Sequence, residues 1–253
     1  MIRLEIADDI AEVVLDAPDK LNALDRAGLA ELSDAYRDAE AAGVRALLLR
    51  GEGRAFCAGR DIAGVDPATD DVPGYLGELE MLLRRMAAFP APTIAAVQGA
   101  CLGVGLGLVI ATDVVYVADD AKIGSPFAGL GALLDSGGHA LLYERLGAHR
   151  ALDLIYTGEL MSGAEAVASG LFSRAVPADA LDGFTRERVE RAAQGPTQAL
   201  LASKRLIADL RDGALWATVA AESAGQEALR ATADYREGFA AFQQKRRPRF
   251  EGR

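Results

Sequence analysis

Short apolar runs alternate with amphipathic stretches along the first half of the chain. Runs rich in Val, Ile and Leu predict strands, and apolar positions spaced three and four residues apart predict helices. The predicted strands are residues 4–6, 12–15, 45–50, 93–97 and 114–117. The predicted helices between them are residues 26–42 and 76–88. This alternation is typical of an α/β domain whose strands are covered by helices.

The second half reads differently, because strands become scarce after about Ser136. Helical patterns follow one another there, at residues 137–145, 149–156, 164–169, 178–209 and 213–243. We therefore predict a mixed α/β core over residues 1–195 and a helical C-terminal region over residues 196–253. Long Ala-rich helices at a C-terminus pack on their own core or on a neighbouring subunit, and both remain open here.

No segment predicts a membrane span or a secretion signal. The longest apolar run, residues 91–110, is interrupted by Gln98 and four glycines and predicts a buried strand, turn and helix. The first residues alternate like a strand and lack the apolar core of a signal peptide. We expect a cytoplasmic protein. Residues 64–74 are acidic, contain two prolines and predict a surface loop that is either a lid or a connector.

The charge and the cysteine and histidine content limit the kinds of ligand and chemistry expected of this chain. The net charge of −10 over 253 residues argues against nucleic acid, which is bound by clustered Lys and Arg. The basic run at residues 245–249 predicts a solvated tail or a contact with an anionic ligand group. Cys57 and Cys101 predict buried, reduced thiols, and the histidines His139 and His149 predict packing or surface roles within helices.

Two glycine-containing stretches each follow a strand and lead toward a helix, at residues 53–62 and 98–107. Glycine lets the backbone approach a ligand closely, and a helix N-terminus offers unpaired N–H groups to negative charge. Two such turns side by side can form a two-donor oxyanion site. The second stretch lacks the G-x-G-x-x-G spacing of dinucleotide loops. Tight packing of small residues is the alternative for both.

Four motifs in order make the chain resemble the crotonase superfamily over nearly its whole length. They are the two glycine stretches, Asn22-Ala23-Leu24, and residues 237–242 near the end. The resemblance implies an α/β crotonase (ClpP-like) fold of repeated ββα turns with a helical C-terminal region that trimerises, often further into hexamers. It also implies an acyl-CoA thioester substrate, no metal, and no cofactor beyond the coenzyme A that the substrate carries.

The resemblance also assigns roles to residues. The backbone N–H groups of Arg60 and Val104 are the implied oxyanion donors, and their side chains do not matter for that role. Residues implied to bind substrate around them are Ala58, Gly59, Gly103 and Phe127. Candidates for contact with the nucleotide end of coenzyme A are Lys20, Phe242 and Lys245.

The two glutamates of typical hydratases in this family are absent. Their positions fall on Gly107 and Phe127, and neither residue can transfer a proton. Asp135, in the sequence Asp-Ser-Gly-Gly, is the carboxylate that remains nearby. Its local sequence favours an N-cap of the following helix. By resemblance to isomerases of aromatic degradation that lack both glutamates, Asp135 is instead a proton shuttle, and in a dehalogenase branch an aspartate here is a nucleophile.

Three functions follow as hypotheses. The first is an enoyl-CoA isomerase in which Asp135 removes a proton from one carbon and returns it to another. The second is a hydratase or thioesterase in which Asp135 activates water. The third is an acyl-CoA-binding protein that retains the oxyanion site without catalysis. Each has an acyl-CoA and further copies of the same chain as its partners.

Overall fold

The computed structural model describes residues 1–253. Its strands are β1 (Ile2–Ala7), β2 (Ile10–Leu15), β3 (Ala46–Gly51), β4 (Thr93–Val97), β5 (Ala100–Leu102), β6 (Val114–Ala118), β7 (Lys122–Gly124), β8 (Met161–Ser162) and β9 (Arg174–Val176). Its α-helices are α1 (Arg26–Ala41), α2 (Val72–Ala87), α3 (Val104–Ile110), α4 (Gly138–Thr157), α5 (Gly163–Ala168), α6 (Leu181–Ala193), α7 (Thr197–Leu229) and α8 (Ala233–Gln243). Three 3₁₀ helices lie at Pro18–Lys20, Phe127–Leu130 and Ala178–Ala180. No helix is both long and apolar enough to span a membrane.

A six-stranded sheet forms the centre, in the order β1-β2-β3-β4-β6-β9. Only β1 and β2 pair antiparallel, through a tight turn at Asp8 and Asp9, and the other pairs are parallel. Leu47, Leu48 and Leu49 on β3 are all buried, as expected for a parallel strand that is covered on both faces. Helices α1 and α2 pack on each other and bury their apolar faces in the same core.

A smaller sheet, in the order β5-β7-β8, lies beside the first. Residues 55–59 run alongside β5 and the residues just before it. Phe56 N donates to Gln98 O at 2.7 Å, and Leu102 N donates to Cys57 O at 3.0 Å. The two glycine stretches of the sequence are therefore neighbours in space. Cys57 and Cys101 face each other across this pairing, and both are free and buried as predicted.

The C-terminal helices have different ends from those expected. We predicted helices over residues 178–209 and 213–243, but α6 ends at Ala193 and α7 runs without interruption from Thr197 through Gly213 to Leu229. The break lies at Gly195-Pro196, because proline cannot donate to the preceding turn. A Cβ on Gly213 would meet nothing within 4 Å, and a glycine on an open helix face costs only about 1 kcal/mol.

Two other helices refine the prediction. Asp71 caps α2 by accepting a bond from Gly74 N at 3.1 Å, so this helix begins four residues before the predicted start at Leu76. Within α4, Gly147 has non-helical angles (φ 75°, ψ 166°), which divide the element where the sequence predicted two separate helices.

Candidate active site

The two glycine stretches meet at Gly59 and Gly103. Both glycines have positive φ, at 106° and 52°, a region that side chains rarely occupy. A Cβ on Gly59 would lie 3.0 Å from Leu102 O and 3.8 Å from Val104 N. The turn that carries Arg60 therefore sits directly against the turn that opens α3.

The backbone amides that follow these glycines lack the usual partners. Arg60 N donates to no protein acceptor, and Val104 is the first residue of α3, where an N–H has no carbonyl four residues earlier in its helix. Two such amides on touching turns can together bind one developing negative charge.

The Asn22-Ala23-Leu24 motif holds the first of these turns. Leu24 N donates to Gly59 O at 2.9 Å, and Asp61 N donates to Leu24 O at 3.0 Å, so Arg60 is fixed between two backbone bonds. Asn22 is 1% exposed, and its amide donates to Glu52 O and Ala55 O at 3.0 and 2.8 Å. The motif thus supports the geometry of the turn.

The Arg60 side chain turns toward the loop before α2. Its guanidinium donates two bonds to the Asp70 carboxylate, at 2.9 and 2.6 Å, and lies 4.1 Å from the centre of the Tyr75 ring. Arg230 at the end of α7 donates to the backbone carbonyl of Asp70. The predicted surface loop is thereby tied to the site and to the C-terminal helices.

The two positions expected for hydratase glutamates hold no proton carrier, and position 107 leaves little room for one. A Cβ on Gly107 would overlap Ser136 and lie 2.7 Å from its Oγ. Phe127 places its ring 3.1 Å from where a Cβ on Gly103 would be. The ring therefore lies over the glycine turn of the second motif.

Asp135 does not cap the helix that follows it. Its Oδ1 accepts a bond from Ser136 Oγ at 2.8 Å, and the N-cap of α4 is Gly137, without a side-chain cap from its own segment. Ser136 and Gly137 both have positive φ, 61° and 86°, so the chain turns sharply between Asp135 and the helix. The capping alternative is wrong, and the carboxylate is left for another role.

The environment of Asp135 raises the pKa of its carboxyl to about 7. Burial is the largest cause, and the negative charge of Glu222 adds to it. The bond from Ser136 and the positive charges of Arg60 and His139 act in the opposite direction. A carboxyl with this pKa can both accept and donate a proton at neutral pH.

Sequence reasoning missed the Glu222 side chain, which comes from α7 to the first turn of α4. It is 3% exposed and accepts bonds from Gly137 N at 2.7 Å, His139 N at 2.9 Å and His139 Nδ1 at 2.8 Å. His139 therefore has a specific partner rather than a simple packing role. Its sequence context gave no specific signal, because the same helical stretch also contains Asp209, Asp212 and Glu227.

The motif at residues 237–242 docks α8 beside the site. A Cβ on Gly238 would overlap the backbone of Leu130, so only glycine allows this approach to the 3₁₀ helix that carries Phe127. Tyr235 and Phe239 stack with ring centres 4.5 Å apart and are almost fully buried.

The residues proposed for coenzyme A contact lie on the surface. Lys20 is paired with Asp61 at 2.8 Å. Phe242 is 53% exposed, and Lys245 follows it in an exposed turn with φ 53°. Within the basic tail, Arg246 pairs with Glu237 at 2.6 Å, so this part of the tail folds back on α8.

Comparisons with known proteins agree with this architecture. The family model for enoyl-CoA hydratase/isomerase matches residues 5–253. A probable enoyl-CoA hydratase of Rhodobacter capsulatus is 36% identical, with 100% of this chain and 98% of the relative covered. The 1,2-epoxyphenylacetyl-CoA isomerase of Escherichia coli is 33% identical, with 96% and 95% covered.

A solved structure gives the same result for the fold. The enoyl-CoA hydratase from Mycobacterium avium subsp. paratuberculosis superposes with a TM-score of 0.90 at 30% identity, covering 99% of this chain and 98% of the other. The crotonase fold predicted from the four motifs is thereby confirmed. The chain belongs to the enoyl-CoA hydratase/isomerase family.

Proposed function

We propose that this enzyme moves the double bond of an enoyl-CoA thioester, with Asp135 as the single acid and base. The observation that carries the proposal is the combination of a raised pKa of about 7 at Asp135 with Gly107 and Phe127 at the positions of both hydratase glutamates. One group that titrates near neutral pH suits a reaction that takes up and returns one proton.

The first step removes a proton from the carbon next to the thioester carbonyl of a 3-enoyl substrate. Ionised Asp135 accepts this proton, and the electron pair of the broken C–H bond moves onto the carbonyl oxygen as a dienolate. The N–H groups of Arg60 and Val104 stabilise that oxygen, and a preorganised donor of this kind contributes about 3 kcal/mol. Protonated Asp135 then returns the proton to C4, which leaves the conjugated 2-enoyl product and the starting carboxylate.

Substrate binding follows the same geometry. The thioester lies along the turns at Ala58-Gly59 and Gly103, and Phe127 contacts the acyl group. Lys20, Phe242 and Lys245 are the proposed contacts for coenzyme A, and their exposure keeps them accessible to a long ligand. Self-association as a trimer or hexamer belongs to this proposal as well.

Mass spectrometry of deuterium uptake from D₂O tests the chemistry directly. A panel of 2-enoyl, 3-enoyl and arylacetyl thioesters of coenzyme A is incubated with the wild type and with Asp135→Asn. Asp8→Asn is a matched control, because Asp8 is exposed in the β1–β2 turn. We expect exchange or double-bond migration in the wild type and the control, and a loss of at least 10²-fold in Asp135→Asn.

Hydration is the second candidate, because relatives over the whole chain are named as hydratases. In that reaction Asp135 activates water, and the product of a 2-enoyl thioester is heavier by one water. Hydrolysis would release free coenzyme A instead. Tight binding without exchange, hydration or hydrolysis in any thioester would contradict catalysis and favour the acyl-CoA-binding role.

A further inference from the structure

The first turn of α4 is capped by a side chain that is distant in sequence. Glu222 on α7 accepts two backbone bonds there, from Gly137 N at 2.7 Å and His139 N at 2.9 Å. Its carboxylate is 3% exposed, so these bonds are its main compensation for burial. The C-terminal helical region thereby supplies a charge to the turn that carries Asp135.

Two carboxylates lie near the N-terminus of α4, and only one of them accepts its backbone bonds. Asp135 lies just before α4 and has the sequence context of a cap, yet it accepts only the bond from Ser136 Oγ. A carboxylate that accepts backbone N–H bonds at a helix N-terminus is strongly stabilised as an anion. Glu222 has taken those donors, so Asp135 does not receive that stabilisation.

We infer that Glu222 is a positioning residue for the reaction: it caps α4 in place of Asp135 and so keeps Asp135 able to exchange a proton at neutral pH. The inference rests on the proposed role of Asp135. Glu222 also fixes Gly137, and with it the positive-φ turn that directs Asp135 away from the helix.

Other groups around Asp135 set the direction of the expected effect. Glu222 opposes its ionisation, and Arg60 and His139 favour it. Tyr75 and Tyr235 are the other titratable side chains that the Asp135 charge affects, and burial raises the pKa of both, that of Tyr235 to about 12, so they stay neutral near pH 7. Glu222 is therefore the acidic side chain among these neighbours that raises the pKa of Asp135.

The test is the pH profile of deuterium exchange for wild type, Glu222→Gln and Asp135→Asn. Glutamine has the same shape but no charge and only one accepting oxygen. We expect the lower inflection of kcat/KM to move down by about one pH unit in Glu222→Gln. Glu227→Gln is the control, because Glu227 is exposed on the same helix, and its profile should match the wild type.

A purely structural role gives a different result. In that case Glu222→Gln lowers kcat at every pH with an unchanged inflection, which overturns the inference. If Asp135→Asn retains exchange, the proposed function itself fails. Loss of exchange in Asp135→Asn together with a wild-type profile in Glu222→Gln overturns only the positioning role.

A second variant covers the case in which Glu222→Gln does not fold. His139→Leu keeps both backbone bonds to Glu222 but removes the ring N–H that partly neutralises its charge. The inflection should then move up further than in His139→Gln, which loses the same ring but keeps an amide donor for Glu222. Equal inflections in folded His139→Leu and His139→Gln enzymes would contradict the inference.

Discussion

Gly107 on α3 packs directly against Ser136, the residue after Asp135. A Cβ at position 107 would lie 2.7 Å from Ser136 Oγ and would overlap Ser136 Cβ. A hydratase glutamate at position 107 and the present turn at Ser136 therefore exclude each other. A glycine at position 107 is therefore required by the turn that carries Asp135.

Gly107→Ala should destabilise the enzyme and reduce its activity. The added methyl group forces Ser136 to move, and overpacking of this kind costs about 1–3 kcal/mol. Because Ser136 donates to Asp135, the same movement should lower the exchange rate. Urea denaturation gives the change in the free energy of unfolding, and the D₂O assay gives the rate.

Gly77→Ala is the matched control for this prediction. Gly77 lies in α2, where a Cβ meets nothing within 4 Å, so alanine should stabilise the enzyme by up to about 1 kcal/mol. If Gly107→Ala were as stable and active as Gly77→Ala, the packing argument for the missing glutamate would be wrong.

The raised pKa of Asp135 predicts how stability depends on pH. The pKa of this carboxyl is 3.8 in the unfolded chain and about 7 in the folded enzyme. The folded state therefore binds more protons than the unfolded state between these two pH values. Its contribution to stability is therefore present below pH 4 and is lost as the pH rises through about 7. Asp135→Asn removes this dependence.

The free energy of unfolding of Asp135→Asn minus that of the wild type should be about 1–3 kcal/mol larger at pH 8 than at pH 4. This range allows for the partial accessibility of Asp135. Urea titrations of both proteins at the two pH values measure this difference. An equal difference at both pH values would mean that Asp135 titrates as an ordinary surface carboxyl does.

Local patterns predicted the strands and the glycine turns because the contacts that define them are close in sequence or periodic. The role of Asp135 was harder to predict, because it depends on a contact between segments that are distant in sequence. From the sequence Asp-Ser-Gly-Gly alone, capping is the natural interpretation, and the group that displaces it, Glu222, lies 85 residues from Gly137. Pairings between distant segments leave no pattern within a short window.

The ends of the C-terminal helices illustrate a second limit. Gly213 resembled a helix boundary, but its open surroundings allow a glycine inside α7 at small cost. The true break at Gly195-Pro196 was a stronger local signal that lay inside an otherwise continuous helical pattern. Helix ends depend on tertiary packing as well as on local propensity, and a local sequence pattern does not reveal that packing.

Asn22 should be important for the turn that carries Arg60, because its side chain bonds to the backbone at three neighbouring positions. Asn22→Ala removes two side-chain bonds to backbone carbonyls and one accepted from Ala17 N, and it places alanine at φ 58°. We expect a loss of about 2–4 kcal/mol in stability and a lower kcat/KM in the exchange assay.

Asn22→Gly separates the two causes. Glycine adopts φ 58° without strain but restores none of the bonds. It should recover only about 1 kcal/mol relative to alanine, because none of the three Asn22 side-chain bonds is restored and the Ala55 carbonyl keeps only a long bond of 3.4 Å from Gln98 Nε2. Full recovery by glycine would show that strain alone accounts for the defect.

The side chain of Arg60 should matter less for exchange than its backbone. In the double variant Arg60→Met with Asp70→Asn, both charges of the pair are removed and the amide of residue 60 stays in place. We expect exchange within tenfold of the wild type. The lower inflection of the pH profile should move up, because Arg60 favours the ionised form of Asp135.

The single variant Arg60→Met is the comparison. It leaves the Asp70 carboxylate, 8% exposed, without its partner and should be less stable than the double variant by about 2–4 kcal/mol. A loss of exchange in the double variant as deep as that in Asp135→Asn would contradict a role through the backbone amide.

Three apolar side chains on α7 form an exposed stripe: Leu206, Ile207 and Leu210, at 67%, 63% and 84% exposure. Adjacent exposed side chains of this size favour a protein interface. We expect sedimentation to give at least three times the chain mass of 26.5 kDa for the wild type, and a monomer for Leu206→Glu with Leu210→Glu. Ile6→Glu, at a single exposed position on β1, should keep the wild-type mass, since an isolated apolar side chain needs no partner. A wild-type monomer, or an unchanged mass in the double variant, would show that the α7 stripe does not hold the oligomer together.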